Sequence, residues 1–185
     1  TLPNVIVMHP SDVVSTKLLT MQLAESGSPS YTRTARNKTP VLYEGREDEI
    51  EIGKGVVLRE GKDVAIIACG VMVSQSLEAA DALAAEGISA AVVDMHTLKP
   101  LDGELIDRLV AKCGALVTAE DHNVIGGLGG AVAEHLTSNA YAPLERVGVQ
   151  DRFGESGEAD EMLEVMEISS PFIAEAAKRA VARKA

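Results

Sequence analysis

The chain contains no tryptophan, two phenylalanines and three tyrosines among its 185 residues. So few aromatic side chains leave little material for a base-stacking surface that binds single-stranded nucleic acid. Basic residues are also in deficit, because 17 lysines and arginines stand against 28 aspartates and glutamates, and the net charge is -11. A protein with this charge repels polyanions, so we expect no nucleic-acid partner.

Cysteine and long apolar runs are scarce as well. Cys69 and Cys113 stand alone, without a CxxC pair or a nearby histidine cluster, which argues against a zinc site and a disulfide framework. Two isolated thiols fit a reducing compartment, and we expect a cytoplasmic location. No apolar run approaches the roughly 18 residues of a membrane span, so we expect no membrane partner. The first residue is Thr1 rather than a methionine, and we expect a part of a longer protein.

The first forty residues predict one β-α-β unit. A short apolar strand at residues 5–8 precedes a helix that begins near Asp12 and ends at Gly27, and residues 30–43 form the next extended segment. One helix and two strands cannot close a hydrophobic core, so this unit is expected to pack on another part of the protein. The charged run that follows, at residues 44–51, predicts a linker and a domain boundary.

Strands and helices alternate beyond this linker. Apolar strands are predicted at residues 55–58, 64–68, 90–93, 115–118 and 144–149. Helices are predicted between them, after caps at Ser74 and Asp102 and at residues 128–138, with two more at 160–166 and 171–183. This order predicts an α/β fold with three layers, α/β/α, and a mostly parallel sheet. The short turn at residues 60–62 predicts a hairpin that adds one antiparallel strand at an edge.

Positive charge is concentrated in the segment 30–43, where Arg33 and Arg36 stand three positions apart. The planar guanidinium group suits bidentate binding of a phosphate or carboxylate. Strand residues an odd number apart point to opposite faces, so a regular strand cannot turn both arginines toward one ligand. If the strand ends near Thr34, Arg36 falls in the loop beyond its carboxyl end, where open α/β sheets bind ligands. The alternative is that both are solvated surface arginines.

Two further segments have both a functional and a structural interpretation. Gly126 to Gly130 lies between a strand and a helix, as a phosphate loop would, but it lacks the dinucleotide fingerprint and a Walker lysine, which favours a tight turn. Glu120 to Asn123 could supply a general base or metal ligands, yet no second ligand group stands at metal spacing, which favours a structural or interface role. His96, beside Asp94, has the same ambiguity. His9 is expected to be an ordinary loop residue.

Six segments, in this order, resemble the carboxyl-terminal part of a transketolase. They are Pro10 to Leu19, Tyr31 to Arg36, Val41 to Tyr43, Asp94 to Asp102, Glu120 to Gly129 and Phe153 to Gly157. The resemblance implies that residues 1–43 are the end of the pyrimidine-binding domain, residues 44–51 a linker and residues 52–185 the transketolase C-terminal domain. It also implies transfer of a two-carbon ketol unit between sugar phosphates.

The same resemblance assigns site residues and partners. It implies that Arg36 binds the substrate phosphate and that Arg33 supports it, although Ala35 replaces the serine that is commoner in the family. Thiamin diphosphate and Mg²⁺ would belong to the complete enzyme, whose catalytic, cofactor and metal residues precede Thr1. The chain alone is therefore expected to be inactive, and to need the N-terminal part or subunit in a homodimer-type assembly.

Three alternatives remain open beside this interpretation. Within the thiamin-dependent enzymes, the chain could be part of a deoxyxylulose-phosphate synthase or of the beta subunit of a 2-oxoacid dehydrogenase. The Thr-Ala-Arg-Asn run that begins at Thr34 fits a transketolase better than the Arg-Tyr-Pro-Arg-Gly run of the synthase. The third alternative, from another class, is a non-catalytic assembly or regulatory module.

Overall fold

The strands and helices of the chain follow one another largely as the sequence predicts. The computed structural model describes residues 1–36, 38–139 and 141–184. Its strands are β1 (Ile6–Met8), β2 (Ser30–Thr32), β3 (Val56–Arg59), β4 (Val64–Ala68), β5 (Ala90–Asp94), β6 (Thr97–Lys99), β7 (Leu116–Asn123) and β8 (Leu144–Val149). Its helices are α1 (Val13–Ser26), α2 (Met72–Ala85), α3 (Gly103–Cys113), α4 (Leu128–Asn139), α5 (Ala159–Val165) and α6 (Ser170–Ala182), with a 3-10 turn at Glu47–Glu49.

The larger sheet has five strands in the order β3-β5-β4-β7-β8. Four of them are parallel, and β3 is an antiparallel strand at one edge, which confirms the predicted fold class. The predicted hairpin is wrong, however, because β3 pairs with β5 and not with the strand that follows it. All five residues of β4 are buried, so this strand is apolar on both faces and takes the centre of the sheet.

Helices cover both faces of this sheet. Alternate residues of β4 point to opposite layers, because side chains alternate along a strand. Val64, Ile66 and Ala68 join a core with α2 and α6, and their neighbours Ala65 and Ile67 join a second core with α3 and α4. The three-layer arrangement is thus built from the sequence pattern of its central strand. No helix within the described residues is both long and apolar enough to cross a membrane.

A second, smaller sheet joins the amino-terminal unit to the rest of the chain. Its order is β2-β1-β6, with β1 parallel to β2 and antiparallel to β6. The sequence did not predict β6, which contributes a third strand from the other side of the linker. The expectation that the β-α-β unit packs on another part of the protein is confirmed by this pairing. Met8, Leu19 and Tyr43 are buried together with Ile50 and Val56 in a third core.

The strand predicted within residues 30–43 is short, because β2 ends at Thr32; Asn37, which falls in the predicted range, lies outside the described residues. The Asp12 carboxylate accepts hydrogen bonds from the backbone N–H groups of Leu42 and Tyr43, at 2.8 and 3.1 Å. These N–H groups are therefore satisfied at the start of α1 and not by a neighbouring strand. Asp12 also caps α1 by accepting from the Ser15 N–H at 2.7 Å, so one side chain anchors both ends of the unit.

Two smaller predictions also change. Ser74 does not cap α2, because the helix already begins at Met72 and the Ser74 hydroxyl donates to the Val71 carbonyl at 3.0 Å. The charged run at residues 44–51 contains the 3-10 turn, and Ile50 is only 5% exposed. This run is thus packed at its carboxyl end, and the domain boundary at residues 44–51 stays a prediction.

Candidate functional site

The loops that follow strands of both sheets meet in one region, which we call the strand-end region. The Gly70 N–H, after β4, donates to the His9 carbonyl, after β1, at 3.0 Å. The His9 N–H in turn donates to the carbonyl of His96, after β5, at 2.8 Å. Ligands of open α/β sheets bind beyond the carboxyl ends of strands, so this region is the candidate site.

Arg33 lies directly after β2 and forms an ion pair with Asp121. Its Nη2 is 2.8 Å from the Asp121 Oδ2, and its Nη1 donates to the backbone carbonyl of the same aspartate. The Arg33 N–H donates to the Met8 carbonyl at 3.0 Å, which holds the backbone beside β1. Arg33 is therefore occupied at both its backbone and its guanidinium group.

Arg36 differs from Arg33 in both respects. It is exposed, in a bend three residues further along, and makes no hydrogen bond or ion pair with any part of the chain that the structure describes. The next residue, Asn37, lies outside the described residues. Since β2 ends at Thr32, Arg36 lies beyond the carboxyl end of a parallel strand, which is the position that the sequence predicts for an anion-binding arginine.

Asp121 reaches Arg33 because β7 bulges away from β8. Ala119 pairs with Val147 and Asn123 pairs with Val149, so three residues of β7 lie opposite Gly148 alone. A side chain at Gly148 would not fit, because a Cβ there would lie 2.9 Å from the His122 carbonyl oxygen. Bulges of this kind re-aim side chains, and they are common beside functional sites.

Glu120, the first residue of the bulge, fills the glycine-rich turn. Its carboxylate oxygens accept hydrogen bonds from the N–H groups of Leu128 and Gly129, at 2.7 and 2.8 Å, at the start of α4. Burial raises the pKa of the Glu120 carboxyl, and these two hydrogen bonds oppose the rise. A Cβ at Gly127 would lie 1.9 Å from the Glu120 Oε2, so the close approach predicted for this turn is confirmed.

The occupied turn cannot serve as a phosphate loop. The N–H groups at a helix N-terminus bind anions, and here the anion is the chain's own carboxylate. Within residues 1–36, 38–139 and 141–184, no group of three or more His, Cys, Asp and Glu side chains is arranged to hold a metal ion. The residues at this turn therefore do not fit the diphosphate and metal of a thiamin cofactor.

Two histidines of the strand-end region are buried and uncharged near neutral pH. Burial, together with the positive charge of Arg33, lowers the pKa of His9 to about 4. Burial also lowers the pKa of His96 to about 4, and its Nε2 has no hydrogen-bond partner among the described residues. The prediction that His9 is an ordinary loop residue is wrong, because its ring is buried against Gly70. A Cβ added at Gly70 would lie 2.1 Å from the His9 Nε2.

A buried carboxyl, Asp94, connects the amino-terminal unit to the larger sheet. Its Oδ2 accepts hydrogen bonds from the Ser11 and Tyr43 hydroxyls, at 2.5 and 2.9 Å. Burial raises the pKa of Asp94 to about 7 and, with the Asp94 charge, raises that of Tyr43. Sequence reasoning noted Asp94 only as a neighbour of His96. A lone aspartate ending an apolar strand is the signal that could have singled it out.

Comparisons with known proteins identify the family of the chain. Residues 53–173 match the family described as transketolase, C-terminal domain. The chain is 42% identical over 183 residues to the 6-deoxy-6-sulfo-D-fructose transketolase subunit SqwH of Clostridium sp. (strain MSTE9), covering 99% of this chain and 56% of that protein. It is 38% identical over 188 residues to the 1-deoxy-D-xylulose-5-phosphate synthase of Trichormus variabilis, covering 99% of this chain and 29% of the synthase.

A solved structure is similar over the whole chain. The split gene transketolase described as an inactive beta4 tetramer has a TM-score of 0.96 and 43% sequence identity, and the match covers 100% of this chain and 60% of that one. The chain thus spans less than two thirds of the length of these relatives. With its C-terminal domain matched over residues 53–173 and its fold shared throughout, the chain belongs to the transketolase family.

Proposed function

We propose that this chain is the carboxyl-terminal part of a thiamin diphosphate-dependent transketolase and that Arg36 binds the phosphate of the sugar substrate. The observation that carries the proposal is the contrast between the two arginines. Arg33 is held by Asp121, whereas Arg36 is exposed beyond β2 and contacts no acid among the described residues. An arginine without an internal partner at a strand end keeps its guanidinium available for an anionic ligand.

The cofactor and this chain have different roles in the proposed reaction. When bound, thiamin diphosphate with Mg²⁺ supplies the carbanion that carries the two-carbon unit. We propose that the residues that hold it belong to the N-terminal part or subunit of the enzyme. The role of this chain is therefore to bind and orient the phosphorylated end of the substrate through Arg36, with Arg33 as support.

The surface of the amino-terminal unit supports an N-terminal section as partner. Within the described residues, β2 has a neighbouring strand on one side only, so its other edge is open for a further strand. Val13 and Met21, on α1, and Tyr31, on β2, are 66%, 52% and 59% exposed. Apolar side chains exposed beside an open edge favour contact with another α/β unit. We propose a homodimer-type assembly of the completed enzyme.

The phosphate role of Arg36 is tested by kinetics of the complex between this chain and the section that carries the cofactor site. Arg36→Ala is expected to raise KM for a ketose phosphate about ten- to a hundredfold, because a charge-assisted hydrogen bond contributes about 1.5–3 kcal/mol. KM for an unphosphorylated ketose should stay unchanged. Arg108→Ala, at an exposed position of α3, is the matched control.

Equal effects of the Arg36 and Arg108 substitutions on KM would contradict the phosphate role of Arg36.

A second candidate function, a 1-deoxy-D-xylulose-5-phosphate synthase, is favoured by the Trichormus relative at 38% identity. Assay of the same complex for formation of 1-deoxy-D-xylulose 5-phosphate separates the two activities. The non-catalytic alternative predicts no ketol transfer after mixing.

A further inference from the structure

We propose that Asp121 is a positioning residue for the phosphate site, because it holds Arg33 and thereby the loop that carries Arg36. The inference rests on the proposed phosphate role of Arg36. It gives the larger sheet a part in substrate binding, since Asp121 belongs to β7 whereas both arginines follow β2. The contact thus spans 88 positions of the sequence.

The contact has the geometry of an orienting interaction. Two different guanidinium nitrogens of Arg33 bind two different oxygens of Asp121, the backbone carbonyl and the carboxylate. A planar guanidinium bound at two points cannot rotate about a single hydrogen bond, so its direction is set as well as its distance. A lysine, with a single ammonium group on a flexible stem, would not reproduce this arrangement.

The position of Asp121 depends on the bulge in β7. In an uninterrupted strand, Asp121 would pair within the sheet and would point to one of its two packed faces. The bulge instead inserts two extra residues opposite Gly148, and Asp121 leaves the ladder to meet Arg33. A bulge that turns an aspartate toward an arginine of the smaller sheet is a feature that sheet stability alone does not require.

Arg36 follows Arg33 by only three residues, so fixing Arg33 also limits the positions that Arg36 can take. The Arg33 backbone is bonded to the Met8 carbonyl at 3.0 Å while its side chain is bonded to Asp121. Three residues span at most about 11 Å of extended chain. The loop that carries Arg36 therefore departs from a point held by β1 and β7 together.

The ion pair between Arg33 and Asp121 is too exposed to contribute much to the stability of the fold. The Arg33 and Asp121 side chains are 37% and 36% exposed, respectively. Ion pairs in contact with water typically contribute little to stability, because solvent screens the two charges. Removal of the carboxylate should therefore leave the chain folded, and its main effect should be on the placement of the loop.

The test is a double-mutant cycle in the complex of this chain with the cofactor-bearing section. Asp121→Asn is expected to raise KM for a ketose phosphate about three- to tenfold with kcat unchanged, because residues joined in one ion-pair network are energetically coupled. KM for an unphosphorylated ketose should not change. In the Arg36→Ala background the effect of Asp121→Asn should disappear. Arg33→Lys, which keeps the charge without the fork, should match Asp121→Asn.

Asp81→Asn is the matched control, because Asp81 also forms an ion pair with an arginine, but outside this region. The Arg59 Nη1 and the Asp81 Oδ1 are 2.5 Å apart. An Asp121→Asn effect that is equal for both substrates, or that persists without Arg36, would identify a merely structural role and overturn the inference. An effect no larger than that of Asp81→Asn would also overturn it. If Arg36→Ala itself leaves KM unchanged, the proposed function fails instead, so the two failures are distinguishable.

Discussion

Three neighbouring residues of the β7 bulge serve three different purposes. Glu120 is 1% exposed and binds the start of α4, whereas the Asp121 side chain is 36% exposed and binds Arg33. The His122 side chain is 53% exposed, with its Nδ1 2.8 Å from the Asn123 carbonyl oxygen. The two neighbouring acids, Glu120 and Asp121, therefore acquire separate roles from burial and direction, whereas a regular strand would direct Asp121 to one of the packed faces of the sheet.

Asp94 is the residue for which we expect the strongest effect of pH on stability. Its pKa is about 7 in the folded chain and close to 3.8 when solvated. The folded state thus binds the proton more tightly, and the stability that Asp94 contributes is fully present below pH 4 and is lost as the pH rises through 7. His9 and His96 act in the opposite direction, because their lowered pKa values favour the folded state as the pH rises.

Replacement of Asp94 by asparagine isolates its contribution. The amide keeps an oxygen that can accept from Ser11 and Tyr43 but does not ionise. We expect the free energy of unfolding of Asp94→Asn, relative to the unsubstituted chain, to rise by about 2–3 kcal/mol between pH 5 and pH 8. Urea denaturation at several pH values measures this difference, with Asp81→Asn as the control for loss of one exposed carboxylate. A constant difference across this range would contradict the prediction.

At the scale of elements, the start of α4 depends on the glycine at position 127. Gly127→Ala would place a Cβ 1.9 Å from the Glu120 Oε2 and displace the carboxylate from the Leu128 and Gly129 N–H groups. We expect a loss of about 2–4 kcal/mol, from overpacking and from two buried hydrogen bonds. The midpoint of urea denaturation measures it.

Gly130→Ala provides the comparison within the same helix. A Cβ at Gly130 meets no atom within 4 Å, and alanine is favoured over glycine in a helix by about 0.8–1 kcal/mol. This substitution is expected to stabilise the chain slightly. A stability change in Gly127→Ala equal to that in Gly130→Ala would show that the contact with Glu120 does not govern this turn.

The sequence predicts a helix well where a capping residue marks its start and a glycine marks its end. For α3, Asp102 accepts from the Leu105 N–H at 3.0 Å and Gly114 takes the left-handed conformation, so cap and stop agree with the predicted bounds. The pairing of β3 and the existence of β6 were not predictable in the same way. Both depend on which strand lies alongside, and this is decided by packing between residues distant in sequence.

The same distinction applies to the candidate site. Arg36 stands out in the sequence through its charge and its place after a strand, and its role stays a prediction. The Arg33–Asp121 and Ser11–Asp94 contacts were not predicted, because they join residues 88 and 83 positions apart. A local sequence pattern does not indicate which distant acid an arginine contacts, or which distant hydroxyl a buried aspartate binds.

At the scale of the whole molecule, the part of the chain that the structure describes offers neither a free glycine-rich turn nor a metal-binding group for a thiamin cofactor. Its glycine-rich turn is filled by Glu120, and no metal-binding group is formed by residues 1–36, 38–139 and 141–184. We therefore expect calorimetric titration of the isolated chain with thiamin diphosphate and Mg²⁺ to give no binding heat, and ketol transfer to be absent. Micromolar binding by the isolated chain would contradict this expectation.

The sequence by itself determined the alternation of strands and helices, the apolar centre of the sheet and the two arginines after β2. These depend on periodicity, caps and charge within short stretches of chain. The tertiary structure alone decided that Arg33 meets Asp121, that Glu120 occupies the glycine-rich turn and that β6 joins the smaller sheet. Each of these requires the approach of distant segments, whose register is set by core packing and by the bulge opposite Gly148.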